Sequence, residues 1–434
     1  MPPAALAGEF RAVMLASLGG AVEFYDFVIY GVFAPAIATT FFPAADKTSA
    51  LLGVFVLFAA GYLIRPLGGL VFGHIGDRSG RRMAFLISLL GISAATAGMA
   101  LIPGYASWGI AGTVGFVLLR LIQGMCLGGE LPAALTYVVE AAPRRAGLVC
   151  GVLFCCVSLG VILATGVNAA LHALLPAPAV ALYGWRIAFG LGSLIGFASY
   201  LPRRMLMESP VFQRIRARAE AERAPIFILI HDNWKPLLIG FATTAIVASY
   251  NSFMFALLPA YLMGRLGWPA PEVASAQFLG LVLNTAGLPL AGYIADRVPP
   301  HRLHRLGTLI LIAAGFGLFP VMVGHSAPLW IPLALLGVAG TLTNGSFAVL
   351  LADLFPSRIR FSGVAVAYNL SFALFGGLTP YFATLLTSET GDPAAPGFYL
   401  AATAALALLA GFGVRRFGGA LAADRAALPG PDRQ

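Results

Sequence analysis

The chain has 434 residues, of which 59% are hydrophobic and only 10% are charged. A water-soluble domain carries about 25% charged residues, so that class is excluded and most of the surface must face lipid. The net charge of +9 does not indicate nucleic acid, because the basic residues sit in short loops between apolar segments, where they orient a membrane protein.

From the N-terminus, Met1 to Phe10 lacks the basic region of a signal peptide and no small-residue cleavage site follows. The first apolar segment is therefore expected to stay as a membrane anchor. Apolar runs of spanning length predict twelve transmembrane helices, over 12–40, 50–72, 84–103, 108–138, 147–174, 184–202, 236–263, 272–294, 305–324, 328–352, 361–387 and 396–415. The 51 glycines and 29 prolines suit such helices, which tolerate both for close packing. Cys126, Cys150, Cys155 and Cys156 lie in or beside apolar runs without metal spacing and read as small core residues.

Span one carries Glu23, Asp26 and Tyr30 on one helical face. Two neighbouring carboxylates do not both ionise readily in a low dielectric, which is the property a proton carrier needs. The alternative is a static pair neutralised by arginines, and neither acid is preferred over the other. Span two carries Arg65, the leading candidate to meet an anionic substrate. Span four carries Arg120, Gln123 and Glu130 on roughly one stripe. Arg120 can bind a carboxylate bidentately or act on a nearby acid, or it can serve as an ion pair holding spans one and four together. Glu130 can pair with either arginine. An ionisable residue at this depth is costly and usually faces a cavity.

Arg203 to Lys235 is the longest polar stretch. It is read as a cytoplasmic link with short surface helices between Phe212 and Arg223, separating an N-terminal half (1–202) from a C-terminal half (236–416) and a short tail (417–434). The second half has no obvious mid-membrane charge. Its candidate pocket groups are Tyr250, Asn251, Asn284, Asn344, Tyr368 and Asn369, each of which could instead tie helix to helix. With both termini cytoplasmic, the inner loops and ends hold 22 of the 27 lysines and arginines.

The halves echo each other. Gly73-His-Ile-Gly-Asp77-Arg78, after the second span, returns after the eighth as Gly292-Tyr-Ile-Ala-Asp296-Arg297. Glu140-x-x-Pro143-x-Arg145, after the fourth span, returns after the tenth as Asp353-x-x-Pro356-x-Arg358. The two repeats are separated by nearly the same length of chain. Such near-equal offsets imply a duplicated six-helix unit with a substrate site between the halves. The fold class is thus an all-α polytopic membrane protein in two pseudo-symmetric six-helix halves. Gly73, Asp77, Arg78, Gly80, Arg81 and Arg82, with Asp296 and Arg297, are expected to form a breakable cytoplasmic gate; the plainer alternative is a charged turn that only fixes topology.

GHIGDRSGRR (Gly73 to Arg82) resembles the signature loop of the major facilitator superfamily, and RLIQGMCLGGE (Arg120 to Glu130) resembles its fourth-helix motif. AVEFYDFVIYG (Ala21 to Gly31), YLIRPLGGLVFGHIGDR (Tyr62 to Arg78) and YNLSFALFGGLTP (Tyr368 to Pro380) are similar to its metabolite:proton symporter branch, which includes carriers for citrate, α-ketoglutarate, shikimate and proline or betaine. The resemblance implies proton-coupled symport of a small organic acid by alternating access, and in resembling carriers the arginine matching Arg120 is implicated in proton coupling; Glu23, Asp26 and Glu130 are the further proton-coupling candidates on their own chemistry. Arg65, Arg120, Gln123, Tyr30, Tyr250, Asn251, Asn344, Tyr368 and Asn369 are the candidate substrate contacts. A zwitterion carrier or an efflux carrier is the alternative. Ser158 to Asn168 lacks the Gly-Pro pattern of drug/proton antiporters, and the chain after Arg416 lacks the coiled-coil tail of osmosensory carriers, so neither activity is expected. His74, His172, His231, His301, His304 and His325 are scattered and no phosphate loop occurs, so no metal, ATP drive or cofactor is expected. The expected partners are a small organic anion, protons and lipid, with the chain acting as a monomer in a bacterial inner membrane.

Overall fold

The computed structural model describes residues 3–42, 47–217 and 225–426. Helix α1 (Pro3–Val32) meets the short helix Ala34–Phe41 at 68°. Pro35, in the first turn of the second piece, has no N–H to bond the Gly31 carbonyl and its ring crowds that group, which accounts for the bend. Helix α2 runs as Lys47–Leu63 and Arg65–Ser79. Ile64 bonds back to Ala60 and Gly68 bonds to Ile64, so the helix passes Pro66 nearly unbroken. Ten further described helices are long and apolar enough to cross a bilayer. They are α3 (Arg81–Leu101), α4 (Ile110–Ala141), α5 (Pro143–Leu174), α6 (Ala177–Arg203), α7 (Trp234–Gly264), α8 (Ala270–Ala295), α9 (Pro300–Val323), α10 (Trp330–Asp353), α11 (Arg360–Thr390) and α12, whose membrane part is Ala395–Phe417. Together they make the twelve spans of two six-helix halves.

The outer wall is apolar in a way only lipid tolerates. Leu118, Leu194, Phe278, Leu290 and Leu409 are all more than half exposed. Inside, aromatic side chains close the N-terminal half away from the loops: Phe41 stacks on Phe116 at 4.2 Å and meets Trp185 edge-on at 5.5 Å. The halves touch along two seams, α2 with α11 and α5 with α8. In the second seam backbone meets backbone. A methyl at Gly292 would lie 2.2 Å from the carbonyl oxygen of Gly147, and one at Gly147 would lie 2.3 Å from that of Gly292.

The α2–α3, α4–α5, α8–α9 and α10–α11 connections gather at one end, here the basic end. The link helices Pro210–Ala217 and Pro225–Asp232 also lie between the halves in sequence, and Val211, Phe212, Ile215 and Leu229 are buried. The link is therefore docked over its first and last parts. A tail helix, Ala420–Ala426, follows α12.

Candidate functional site

A chain of polar groups is buried in the middle of the N-terminal half. Asp26 on α1 is 1% exposed. Its Oδ2 accepts from Thr96 Oγ1 of α3 at 2.7 Å and from Gln123 Nε2 of α4 at 3.1 Å. Gln123 Nε2 also reaches Thr96 Oγ1 at 2.7 Å, and Gln123 Oε1 accepts from Arg120 Nη1. Arg120 and Gln123 act together because three residues of helix bring them to one face. The Arg120 guanidinium lies 4.0 Å from the Tyr30 ring centroid, and Arg65 lies 4.4 Å from that of Tyr62. Tyr30 is fixed in turn by its hydroxyl, which donates to Val54 O at 3.0 Å. The side chain of Glu23 lies outside the described residues, so the expected acid pair is described for Asp26 alone.

Between the halves is a cavity of about 630 Å³. Tyr30 and Tyr62 line it from the N-terminal half, and Asn251, Ser252, Phe255 and Phe372 from the other. Both arginines stack on rings that line the cavity, so the tyrosines stand between cation and open space. On the far wall α7 and α11 each contain a wide π-helical turn, Phe253–Leu257 and Phe372–Gly376. Turns of this kind often occur at functional sites, and both border the cavity. Its lining residues run from mid-span (Tyr62, Val161, Ala248) toward the end opposite the basic loops (Ala34, Ala256, Pro380).

The basic end is locked. Asp77 at the end of α2 accepts from the backbone N–H groups of Phe361 and Ser362, which open α11 in the other half, at 3.2 and 2.8 Å. Asp296 at the end of α8 does the same for α5: the N–H groups of Gly147 and Leu148 donate to it at 2.7 and 2.9 Å. Each aspartate thus caps a helix of the opposite half. Burial pushes the Asp296 carboxyl up, while those two amides, Arg425 and Arg297 hold it down. Glu140 is the hub of the first seam. It takes Arg81 Nε at 3.1 Å, Arg360 Nη1 at 3.2 Å and the Ser209 hydroxyl. Arg81 also meets Asp77 at 3.3 Å and donates to Ser357 O. Glu208 accepts from the Arg81 and Arg82 amides, so the link caps α3. Burial raises the Glu208 carboxyl against the lowering by the Ser209 and Arg82 amides. Gly80 has φ +117°, and a methyl there would sit 2.2 Å from Glu208 Oε2. Gly73 packs on the Ser362 backbone. Arg78 is exposed. The tail helix is held by Asp353, which accepts from Gly419 and Leu421 N–H at 2.9 and 2.8 Å, and by Asp424 against Arg360 at 2.6 Å.

Several expected site residues lie elsewhere. Glu130, expected beside Arg65 or Arg120, has its Oε1 3.7 Å from Arg203 Nη1. Arg203, expected in the cytoplasmic link, is the last residue of α6 and is 1% exposed; its Nε donates to Leu15 O at 2.8 Å. The Tyr250 hydroxyl donates to Leu336 O at 3.0 Å and receives Asn284 Nδ2 at 3.2 Å, which ties α7, α8 and α10 together behind the cavity wall. Asn369 Nδ2 donates across the seam to Gly128 O at 2.7 Å. Tyr368 is buried and stacks on Phe372 at 4.3 Å. Asn251 lines the cavity and reaches Asn344 Oδ1 at 3.4 Å. The sequence reading missed Thr96, Tyr62, Glu140, Arg360 and Glu208 as members of these networks. Tyr62 sits three residues before Arg65, a stacking distance on a helix, and Glu140 heads a repeated motif; Thr96 carries no comparable signal.

A family model described as Major Facilitator Superfamily matches residues 16–380. A citrate-proton symporter of Salmonella typhi is 31% identical over 434 residues, covering 98% of this chain and 99% of that protein. The ectoine/proline transporter ProP of Corynebacterium glutamicum is 33% identical, covering 90% and 82%. Among solved structures, the proton:xylose symporter XylE bound to 6-bromo-6-deoxy-D-glucose shares the fold with a TM-score of 0.77 at 18% identity, over 95% of this chain and 96% of that one.

Proposed function

The chain belongs to the Major Facilitator Superfamily, a transporter and not an enzyme, and from that membership we propose a proton-coupled symporter of a small organic acid that works by alternating access. The observation that carries the reading is the buried chain Asp26–Gln123–Arg120, which ends on a tyrosine lining the cavity. Asp26 is the group that takes the proton. With its charge cancelled, Gln123 and Arg120 are released from it. Arg120 and Arg65 then turn past Tyr30 and Tyr62 to meet a substrate carboxylate as bidentate donors. Proton and anion thus enter together, which is the coupling a symporter needs. The relatedness to a citrate-proton symporter supports an acid as cargo.

The basic end is read as cytoplasmic, by the excess of arginine there. The locked seams with the cavity toward the other end then correspond to an outward-facing state, and one chain is the working unit. The halves are taken as 1–202 and 236–416, with 203–235 as the link.

A second reading has its own support. The described cavity lining is rich in aromatic rings (Phe24, Tyr30, Tyr62, Phe255, Phe372), which suit a quaternary ammonium, and an ectoine/proline transporter is among the relatives. Uptake of labelled citrate, α-ketoglutarate, shikimate and betaine into proteoliposomes, with and without an inward proton gradient, separates the two. Gradient-stimulated uptake of an acid supports the first reading and of betaine the second. Uptake of an acid that ignores the gradient defeats the coupling.

A further inference from the structure

The two seams carry unequal charge at the basic end. Along α2–α11 the buried guanidinium groups face carboxylates: Arg81 and Arg360 share Glu140, and Arg360 also meets Asp424. Along α5–α8 there is a cavity of about 450 Å³ lined by Arg144, Arg145, Leu148, Tyr293, Asp296 and Arg297. Its single carboxylate is already engaged, since both oxygens of Asp296 accept the α5 amides. Among the described residues no carboxylate lies within 4.0 Å of the guanidinium nitrogens of Arg144, Arg145 or Arg297. A fourth cation borders the place, because Arg425 of the tail helix donates to Pro143 O at 2.7 Å. Arg297 is pre-positioned: its guanidinium lies 3.4 Å from the Tyr293 ring centroid.

Exposed arginines at loop ends usually do no more than orient the protein. Here they converge on a cavity from separate elements of both halves, and its three arginines share one carboxylate. We infer that this cavity is an anion site that takes a phosphate group, held between Arg144 and Arg145 of one half and Arg297 of the other. The guanidinium fork matches phosphate oxygens bidentately. The site lies where spans α5 and α8 end, the depth of lipid headgroups, and basic pockets between helices there suit anionic lipid. Leu148 and Tyr293 supply an apolar ledge beside the cations. The phosphate is either the headgroup of an anionic lipid or free inorganic phosphate. An occupant touches both halves only while the α5–α8 seam is shut, so it favours the closed basic end.

The test is native mass spectrometry of the full chain titrated with phosphatidylglycerol or phosphatidylcholine, with and without inorganic phosphate. Phosphatidylglycerol is expected to be retained preferentially. R144Q/R145Q is expected to weaken that retention by about tenfold or more, the loss of two charge-assisted hydrogen bonds. R144K/R145K, which keeps the charge, retains part of the binding. Loss of phosphatidylglycerol in the Gln variant, with no competition by inorganic phosphate, assigns a lipid headgroup. A phosphate-dependent rise in the melting temperature of the parent chain, abolished in the Gln variant, assigns the free anion. If the double variant does not fold, R144Q alone, at the exposed start of α5, is read in the same way. Equal lipid retention by parent and Gln variant, with no phosphate-dependent stabilisation of the parent, overturns the inference.

Discussion

Replacing Gly292 by alanine puts a methyl group 2.2 Å from the Gly147 carbonyl oxygen and 2.8 Å from its carbonyl carbon. Ordinary contact begins at 3.4 Å, so α5 and α8 must part by the shortfall where they cross. Both obstructing atoms are backbone, and no rotamer change relieves them. Overpacking a tight site costs about 1–3 kcal/mol. The same parting stretches the 2.7 and 2.9 Å bonds from Gly147 and Leu148 to Asp296, one helical turn along. The cost falls on the state with the basic end shut. The ratio of shut to open molecules should therefore drop by roughly 5- to 150-fold. Spin labels at Met83 and Val298, exposed positions near the basic end on opposite halves, would report this in a background with the native cysteines replaced. The expected result for G292A is growth of a longer inter-label distance. Gly166→Ala is the control, since nothing lies within 4 Å of a methyl there. Distance distributions for G292A that match those of G166A and the parent chain would refute the reasoning.

D77N should act on the other seam. An amide cannot supply the charge that holds the Phe361 and Ser362 amides, and losing a cap of this kind costs about 0.5–2 kcal/mol; a reporter thiol buried beneath the seam should then react faster with a soluble maleimide. D26N removes the proposed proton carrier, so gradient-driven accumulation should vanish from proteoliposomes while counterflow of bound substrate continues; counterflow lost to the same extent would contradict the proton role. E130Q leaves the 1%-exposed Arg203 beside a neutral amide, and breaking a buried pair costs about 3–5 kcal/mol. The melting temperature should therefore fall by several degrees, while the proton dependence of uptake by the protein that remains folded is kept.

Most of the architecture was legible because lipid imposes a simple rule: a span must be long, apolar and helical. The twelve runs follow from it, and the repeated Asp77 and Asp296 motifs were legible separately, as matching loop sequences in the two halves. Asp26, Arg120 and Gln123 stood out against the same rule, as polar groups in apolar helices. What the rule hides is the direction in which a polar side chain points. Tyr250 and Asn369 look like pocket residues in the sequence, yet their polar atoms reach backbone carbonyls of neighbouring helices. Arg203 reads as a loop arginine because it follows a proline and precedes a charged stretch; α6 runs one residue further than expected, and that residue points inside to Glu130. Thr96 was invisible, since a threonine in an apolar helix ordinarily bonds its own backbone, as Thr243 and Thr387 do. Only the packing of α3 on α4 and α6, which themselves pack on α1, aims Thr96 at Asp26.

The two capping aspartates are related by an exchange. Asp77 holds the amides of Phe361 and Ser362, and Asp296 holds those of Gly147 and Leu148. Asp77 and Asp296 occupy matching places in the two halves, and so do the two pairs of amides, at the starts of α11 and α5. Swapping the halves therefore carries one cap onto the other. This is the signature of an isologous contact, in which residue i of one subunit meets residue j of its twin and j meets i. The interface between the halves has the self-complementarity of a two-fold homodimer threaded onto a single chain. One consequence concerns assembly: neither half can complete its own helix caps. Residues 1–202 expressed alone would lack the acceptor for the start of α5, and residues 236–416 alone would lack the one for α11.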